Sequence, residues 1–200
     1  MKYVEEIPEE WKAEADFWTS HHYLFSPLFS EEECDKIIAI GERLEKENAT
    51  ITHKNSSYEN TRNSQVSWMP LARETKWIYE WIWASVENTN HWKLDIRGFY
   101  ETLQYTVYDS TDGVTKYDWH TDTGPGNNHR KISLSIQLSN SDEYSGGEFE
   151  LERGGILNTP NYLKKGHTIM FPSLLRHRVL PITSGIRKSL VVWVAGPHIK

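Results

Sequence analysis

Alternation of apolar and polar side chains is the feature that most constrains the fold of this 200-residue chain. In residues 132–138, Ile and Leu alternate strictly with Ser and Gln, and Leu103, Tyr105 and Val107 also occupy every second position. A similar alternation places Leu and Val at every second position of 190–194. Successive side chains of a strand point to opposite faces, so this period of two predicts β-strands.

Clusters of Gly and Pro separate these segments, which predicts short strands joined by turns. The clusters lie at 124–128, 146–147, 154–155 and 181–185. We interpret the last of them, Pro181 to Gly185, as a turn that joins two antiparallel strands. Many short strands with such turns are typical of a barrel or a double-sheet jelly roll.

The first hundred residues are predicted to be mostly helical. Ser30 and Glu33 form a capping-box pattern, and Cys34, Ile37, Ile38 and Leu44 follow at helical spacing. A second helix is predicted from about 71 to 88, with a core-facing stripe of Trp77, Ile78, Trp81, Ile82 and Ser85. We therefore predict an α+β fold in one domain over 1–200, with a helical layer (about 1–92) on a jelly-roll core (about 93–197).

Composition excludes several classes of function. The formal net charge is −6 and no Lys/Arg cluster is present, which argues against a general nucleic-acid binder. The single cysteine, Cys34, cannot form an internal disulfide, and we predict it to be a buried helical residue. No apolar run suits a signal peptide or a membrane span, so we expect a cytoplasmic protein without a membrane partner.

The polar face of the 132–138 segment has two interpretations. If its apolar face packs against the helices, its Ser and Gln side chains line the interior, as a ligand cavity requires. The alternative is an ordinary half-exposed strand whose serines face water.

Three residues form a candidate metal site. His120 and Asp122 are two positions apart, so on an extended strand they share a face, and His177 follows 55 positions later. Two imidazoles and one carboxylate suit Fe(II) and leave other coordination positions open. His129 and His167 are alternative ligands, but their Gly-containing loops favour solvated side chains.

Arg187 is a candidate anion-binding residue. It follows His177 by ten positions, and across the predicted turn this even spacing places both side chains on one face. The guanidinium fork matches a carboxylate in a two-point hydrogen bond. The alternative is a surface charge at a strand end.

With these residues in place, the chain resembles the Fe(II)- and 2-oxoglutarate-dependent dioxygenases of the prolyl 4-hydroxylase-like branch, over about 24–195. The segment 177–187, His-Arg-Val-Leu-Pro-Ile-Thr-Ser-Gly-Ile-Arg, is the most specific match, and 24–34 resembles the lead into that branch's first long helix. The resemblance implies a double-stranded β-helix whose N-terminal helices pack on the major sheet. It also implies Fe(II) on His120, Asp122 and His177, and 2-oxoglutarate held by Arg187, Ser133 and Tyr108.

Further matches imply a prolyl substrate in a protein or peptide. These residues are Arg62, Trp68, Tyr117, Arg130 and Trp193. The implied reaction consumes O₂ and 2-oxoglutarate, releases succinate and CO₂, and uses ascorbate as a reductant. Two alternatives remain open: the same cofactors acting on a free amino acid or small metabolite, and a non-catalytic barrel that binds a metal or a sugar.

Overall fold

The computed structural model describes residues 24–49, 62–152, 156–158 and 164–198. Residues 1–23 of the predicted helical layer and the predicted turn at 154–155 lie outside this range. The described part contains the helices α1 (Glu31–Gly41) and α2 (Lys76–Thr89) and a short 3-10 helix at Ser110–Asp112. Its strands are β1 (Leu24–Pro27), β2 (Glu47–Asn48), β3 (Arg62–Asn63), β4 (Gln65–Met69), β5 (Gly98–Phe99), β6 (Leu103–Asp109), β7 (Thr115–His120), β8 (Arg130–Gln137), β9 (Tyr144–Gly146), β10 (Phe149–Glu152), β11 (Ile156–Asn158), β12 (His167–Pro172) and β13 (Arg176–Ala195).

The strands form two antiparallel layers that share β13. The larger layer has the order β1-β12-β8-β13-β6-β4-β2, and β5 pairs with the end of β13. The smaller layer pairs β7, β9 and β10 with the first part of β13, while β3 and β11 extend it. This arrangement is the double-stranded β-helix that the sequence predicted.

The prediction of a turn at Pro181 to Gly185 is wrong. β13 runs from Arg176 to Ala195 and changes layer near Gly185, which pairs with Tyr144 of β9, while the next residue, Ile186, pairs with β6. Gly185 has a φ of +75°, a conformation that favours glycine. Turn propensity is local, whereas these backbone groups bond to strands that are distant in sequence.

The two helices pack against the apolar face of the larger layer. The capping box at Ser30 and Glu33 is formed, and α1 buries Cys34 and Ile37, as predicted, together with Ile40. The other two predicted residues, Ile38 and Leu44, are only partly buried, and Leu44 lies beyond the end of the helix. The apolar side chains of β8 belong to the same core, while its serines and Gln137 are also buried on the opposite face. The interior-facing interpretation of the 132–138 segment is therefore confirmed.

Two details of the N-terminal half differ from the prediction. α2 begins at Lys76 and buries Ile78, Tyr79, Ile82 and Val86, whereas Trp81 is 55% exposed. The region predicted to be mostly helical also contains the short strands β1 to β4. Within the described residues, no helix combines the length and the apolar character needed to cross a bilayer.

A second, smaller core lies beside the first. Its buried residues come mainly from the smaller layer and from the inner face of β12, and they are Tyr108, Tyr144, Phe149, Leu151, Ile169, Phe171, Leu175, Val179 and Ile182. Several of these side chains also line the candidate site, so the site is built into a packed interior.

Candidate metal centre and cosubstrate pocket

Strand pairing brings His120, Asp122 and His177 together. His120 ends β7 and lies directly opposite His177 of β13, while Asp122 follows two residues after β7. One candidate ligand atom from each side chain lies within 4.8 Å of the others. Asp122 Oδ1 is 3.7 Å from His120 Nε2, and Asp122 Oδ2 is 3.5 Å from His177 Nε2.

Backbone carbonyls orient both imidazole rings. His120 Nδ1 is 2.8 Å from the carbonyl oxygen of Asp118, and His177 Nδ1 is 3.0 Å from that of Leu175. Since a carbonyl only accepts, each Nδ1 carries the hydrogen, which leaves Nε2 of each ring with a free lone pair. This is the arrangement by which metal-binding histidines are commonly held.

The protonation states fit a divalent metal. Burial, reinforced by the neighbouring His177, lowers the pKa of His120 to about 3, so that ring is neutral at physiological pH. Burial alone would raise the pKa of Asp122, but the two imidazoles and a hydrogen bond from Ser133 outweigh it, and the pKa is lowered. A carboxylate together with imidazole nitrogens is a donor set that fits Fe(II).

Arg187 lies in the same pocket as the three candidate ligands. Its side chain is buried, with 1% exposure, and its guanidinium carbon is 5.5 Å from the centre of the Tyr108 ring. Tyr108 is also its partner across β6 and β13. The proposed cosubstrate residues Arg187 and Tyr108 are therefore adjacent.

One neighbour of Arg187, Tyr144, escaped the sequence analysis. Burial raises the pKa of Tyr144, whereas the charge and a hydrogen bond of Arg187 act in the opposite direction, which places the phenol against the guanidinium. Gln137 Nε2 donates to the Tyr144 hydroxyl at 2.9 Å. Two features of the sequence could have pointed to these residues. Tyr144 lies just before Gly146-Gly147, and Gln137 lies on the polar face of β8.

Ser133 lies beside the candidate metal ligand Asp122 and away from Arg187. It pairs with Trp193 of β13, six residues beyond Arg187, or roughly 20 Å along an extended strand. Its hydroxyl donates to Asp122 Oδ2 at 2.6 Å. Ser133 is therefore adjacent to the candidate metal ligand, which favours a role at Asp122 over the predicted contact with the far carboxylate of 2-oxoglutarate.

Three of the five predicted substrate residues lie in the pocket that contains the candidate metal ligands. Tyr117 stacks on His120 with ring centres 3.5 Å apart, and the Arg62 guanidinium lies 4.6 Å from the Tyr117 ring centre. Arg62 also donates to Ser64 and Gln104. The side chains of Arg62, Tyr117 and Trp193 all line the pocket.

Arg130 and Trp68 contact the pocket through Trp193. The Arg130 guanidinium lies 3.6 Å from the Trp193 ring centre, and the same guanidinium forms an ion pair with Glu101. Trp68 is 37% exposed, with its ring centre 6.5 Å from that of Trp193. His129 contacts Glu101 and Tyr100 and His167 begins β12, so neither belongs to the histidine–aspartate cluster.

Comparison with known protein families agrees with this geometry. Residues 103–195 match the model of the 2OG-Fe(II) oxygenase superfamily. Over these residues the chain is similar to that superfamily. The matched segment contains the three candidate ligands and Arg187, and the family implies Fe(II), 2-oxoglutarate and O₂ as cofactors.

Curated relatives match about two fifths of the chain. A PKHD-type hydroxylase of Synechococcus sp. (strain CC9605) is 34% identical over 79 residues, which cover 39% of this chain and 36% of the relative. A PKHD-type hydroxylase of Parvibaculum lavamentivorans is 35% identical over 89 residues, or 41% of this chain and 39% of the relative. The chain thus spans under two fifths of the length of these relatives.

Solved structures share the fold over most of the chain. A prolyl-4-hydroxylase from Pseudomonas putida superposes with a TM-score of 0.65 at 18% identity, covering 91% of this chain and 96% of the other. A prolyl hydroxylase from Trichoplax adhaerens, in complex with a hypoxia inducible factor peptide fragment, gives 0.67 at 15% identity, covering 88% and 84%. These likenesses extend the double-stranded β-helix beyond the segment that the family model matches.

Proposed function

We propose that this protein is an Fe(II)- and 2-oxoglutarate-dependent dioxygenase that hydroxylates prolyl residues in a protein or peptide and releases succinate and CO₂. The observation that carries the proposal is the convergence of His120, Asp122 and His177 in one pocket with the buried Arg187. The named relatives and structural neighbours, which are hydroxylases, support it.

His120, Asp122 and His177 would hold the iron. Their carbonyl-oriented rings and buried carboxylate are preorganised, so little side-chain freedom is lost on binding. When bound, Fe(II) supplies the redox chemistry by which O₂ and 2-oxoglutarate oxidise an unactivated C–H bond.

Arg187 and Tyr108 would hold the distal carboxylate of 2-oxoglutarate. The buried Arg187 guanidinium lies in the same pocket as the candidate metal ligands, and its planar fork matches a carboxylate in two-point geometry. The apolar side chains of Phe149, Phe171 and Val179 line the pocket and would limit access of water to the reacting carbon.

The aromatic and cationic side chains in and beside the pocket would bind the substrate. Tyr117 and Trp193 offer flat surfaces to a proline ring, and Arg62 supports Tyr117 from the side. Arg130 and Trp68 keep Trp193 in place through ring contacts. We assign these five residues to a peptide-binding site. Ascorbate as the reductant stays a prediction.

Mass spectrometry of peptides tests the substrate proposal. The protein is incubated with Fe(II), 2-oxoglutarate, O₂ and a library of proline-containing peptides, with the same peptides carrying alanine for proline as controls. We expect one added oxygen on proline and an equal amount of succinate. Oxygen on a free amino acid or metabolite alone would favour the small-molecule alternative. Absence of succinate under all conditions would favour a non-catalytic binding barrel.

A further inference from the structure

The segment that carries the candidate ligand Asp122 is held by a pair of buried serines, Ser133 of β8 and Ser173 just after β12. Ser133 Oγ donates to Asp122 Oδ2 at 2.6 Å and lies 2.9 Å from Ser173 Oγ. Each serine is 1% exposed. Their hydroxyl groups therefore form a short chain that ends on the carboxylate.

The backbone around Asp122 is held by the same elements. The Asp122 and Thr123 amides donate to the carbonyl oxygen of Ser173 at 3.1 and 3.3 Å. Arg130 Nη1 donates to the Asp122 carbonyl oxygen at 3.3 Å, and the Ser173 amide donates to the Lys131 carbonyl oxygen at 2.9 Å. Main chain and side chain of Asp122 are thus both tied to the larger layer, although His120 belongs to the smaller one.

We propose that Ser133, supported by Ser173, is a positioning residue that sets the orientation of the Asp122 carboxylate for metal binding. Ser133 occupies Oδ2, which leaves Oδ1 on the side of His120 Nε2. Without this hydrogen bond the carboxylate rotates about its own side-chain bonds and loses its preorganised direction. The inference rests on the proposed metal site and adds to it a residue that contacts no metal or cosubstrate.

The test measures metal binding under anaerobic conditions, with Co(II) as a coloured probe and Fe(II) in competition. We expect Ser133→Ala to weaken Co(II) binding by about 10- to 100-fold, as is typical for a lost hydrogen bond to a metal ligand, and to change the visible spectrum of bound Co(II). Ser173→Ala should have a smaller effect in the same direction. Ser133→Thr, which keeps a hydroxyl, should restore most of the affinity.

A matched control separates positioning from general loss of a buried hydroxyl. Ser67 of β4 is also 1% exposed, and its hydroxyl has no hydrogen-bond partner among the described residues. Ser67→Ala should bind Co(II) like the unmodified protein, with the same spectrum.

The outcomes distinguish this inference from the proposed function. Unmodified protein that binds no metal would overturn the metal site, and with it the role of Ser133. Unmodified protein that binds Co(II), with unchanged affinity and spectrum in both alanine variants at positions 133 and 173, would overturn the positioning role alone. If Ser133→Ala does not fold, the Ser173→Ala measurement decides.

Discussion

Arg187 is the residue on which the cosubstrate assignment depends. Its guanidinium is buried beside Tyr108 and Tyr144, in the pocket that also contains the three candidate metal ligands. The planar guanidinium fork matches a carboxylate in a two-point hydrogen bond. A dicarboxylate bound to the metal at one end would therefore meet Arg187 within the same pocket.

Substitution of Arg187 tests this assignment. We expect Arg187→Ala to raise the 2-oxoglutarate concentration needed for turnover about ten- to hundredfold, since loss of a charge-assisted pair typically costs about 1.5–3 kcal/mol. The Fe(II) requirement should change little. Arg178→Ala is the matched control, because Arg178 lies on the same strand in an ion pair with Glu150. An unchanged 2-oxoglutarate requirement would remove Arg187 from the site.

The sequence pointed to the candidate metal ligands and Arg187 by residue type and spacing, and the structure brings them into one pocket. The argument for Arg187 assumed a turn at Pro181 to Gly185, whereas His177 and Arg187 lie on the single strand β13, which changes layer between them. The position of Ser133 next to Asp122 was not predictable, because it depends on the register between β8 and β13. Register is set by pairing between distant segments, which local pattern does not report.

β13 is the element that connects the candidate metal ligand His177 to Arg187, the proposed cosubstrate residue. It carries His177 in the smaller layer and Arg187 in the larger layer, and it changes layer near Gly185. A Cβ at Gly185 would lie 2.0 Å from the carbonyl oxygen of Glu143. The change of layer therefore requires glycine for both conformation and space.

This requirement predicts a large effect of Gly185→Ala. Positive φ alone costs a non-glycine residue about 1–3 kcal/mol, and the backbone contact adds to it, so we expect the free energy of unfolding to fall by about 3 kcal/mol. Gly113→Ala is the control, because Gly113 has a φ of +88° and open space around it. Urea denaturation of the metal-free proteins measures both. Equal losses in the two variants would show that the contact with Glu143 is unimportant.

Glu42 joins α1 to the larger layer. Its carboxylate bonds the Tyr105 hydroxyl at 2.7 Å and the Lys188 ammonium at 2.9 Å, and Lys46 contacts it from the next turn. Partial burial would raise the pKa of Glu42, but the hydrogen bonds from Lys46, Lys188 and Tyr105 outweigh burial and lower the pKa to about 2. The helix layer is thus attached to the sheet by an ionised side chain.

The lowered pKa gives a pH-dependent prediction. Since the folded protein favours ionised Glu42, its contribution to stability is complete above the ordinary pKa of 4.5 and is lost as the pH falls toward 2. We expect Glu42→Gln to lower the free energy of unfolding by about 1 kcal/mol at neutral pH, because the side chain is a third exposed and partly screened. The exposed Glu45→Gln serves as control. A difference that persists unchanged at low pH would contradict the prediction.

Elements with clear periodicity were predictable from sequence. β6, β8 and the second part of β13 follow from alternation, and α1 follows from its capping box. The strands β1 to β4 were missed because they are short and pair with distant partners. Trp81 was predicted to face the core. The apolar face of α2 is wide, and most of the side chains that it buries lie one position after those of the predicted stripe.

At the scale of the whole molecule, the candidate site lies where the two layers meet. The larger core fixes β8 and β13 against the helices, while the smaller core surrounds the histidines with aromatic side chains. Binding residues on strands of a packed scaffold are held more precisely than residues on loops. The organisation of 1–200 as one domain stays a prediction.

One measurement tests the central claim most directly: anaerobic addition of Fe(II) and then 2-oxoglutarate, followed by visible absorption. We predict a charge-transfer band that requires both additions, that is absent in Asp122→Ala and His177→Ala, and that needs more 2-oxoglutarate in Arg187→Ala. A protein that remains folded and shows no band with saturating Fe(II) and 2-oxoglutarate would contradict the claim that these residues form one metal and cosubstrate site.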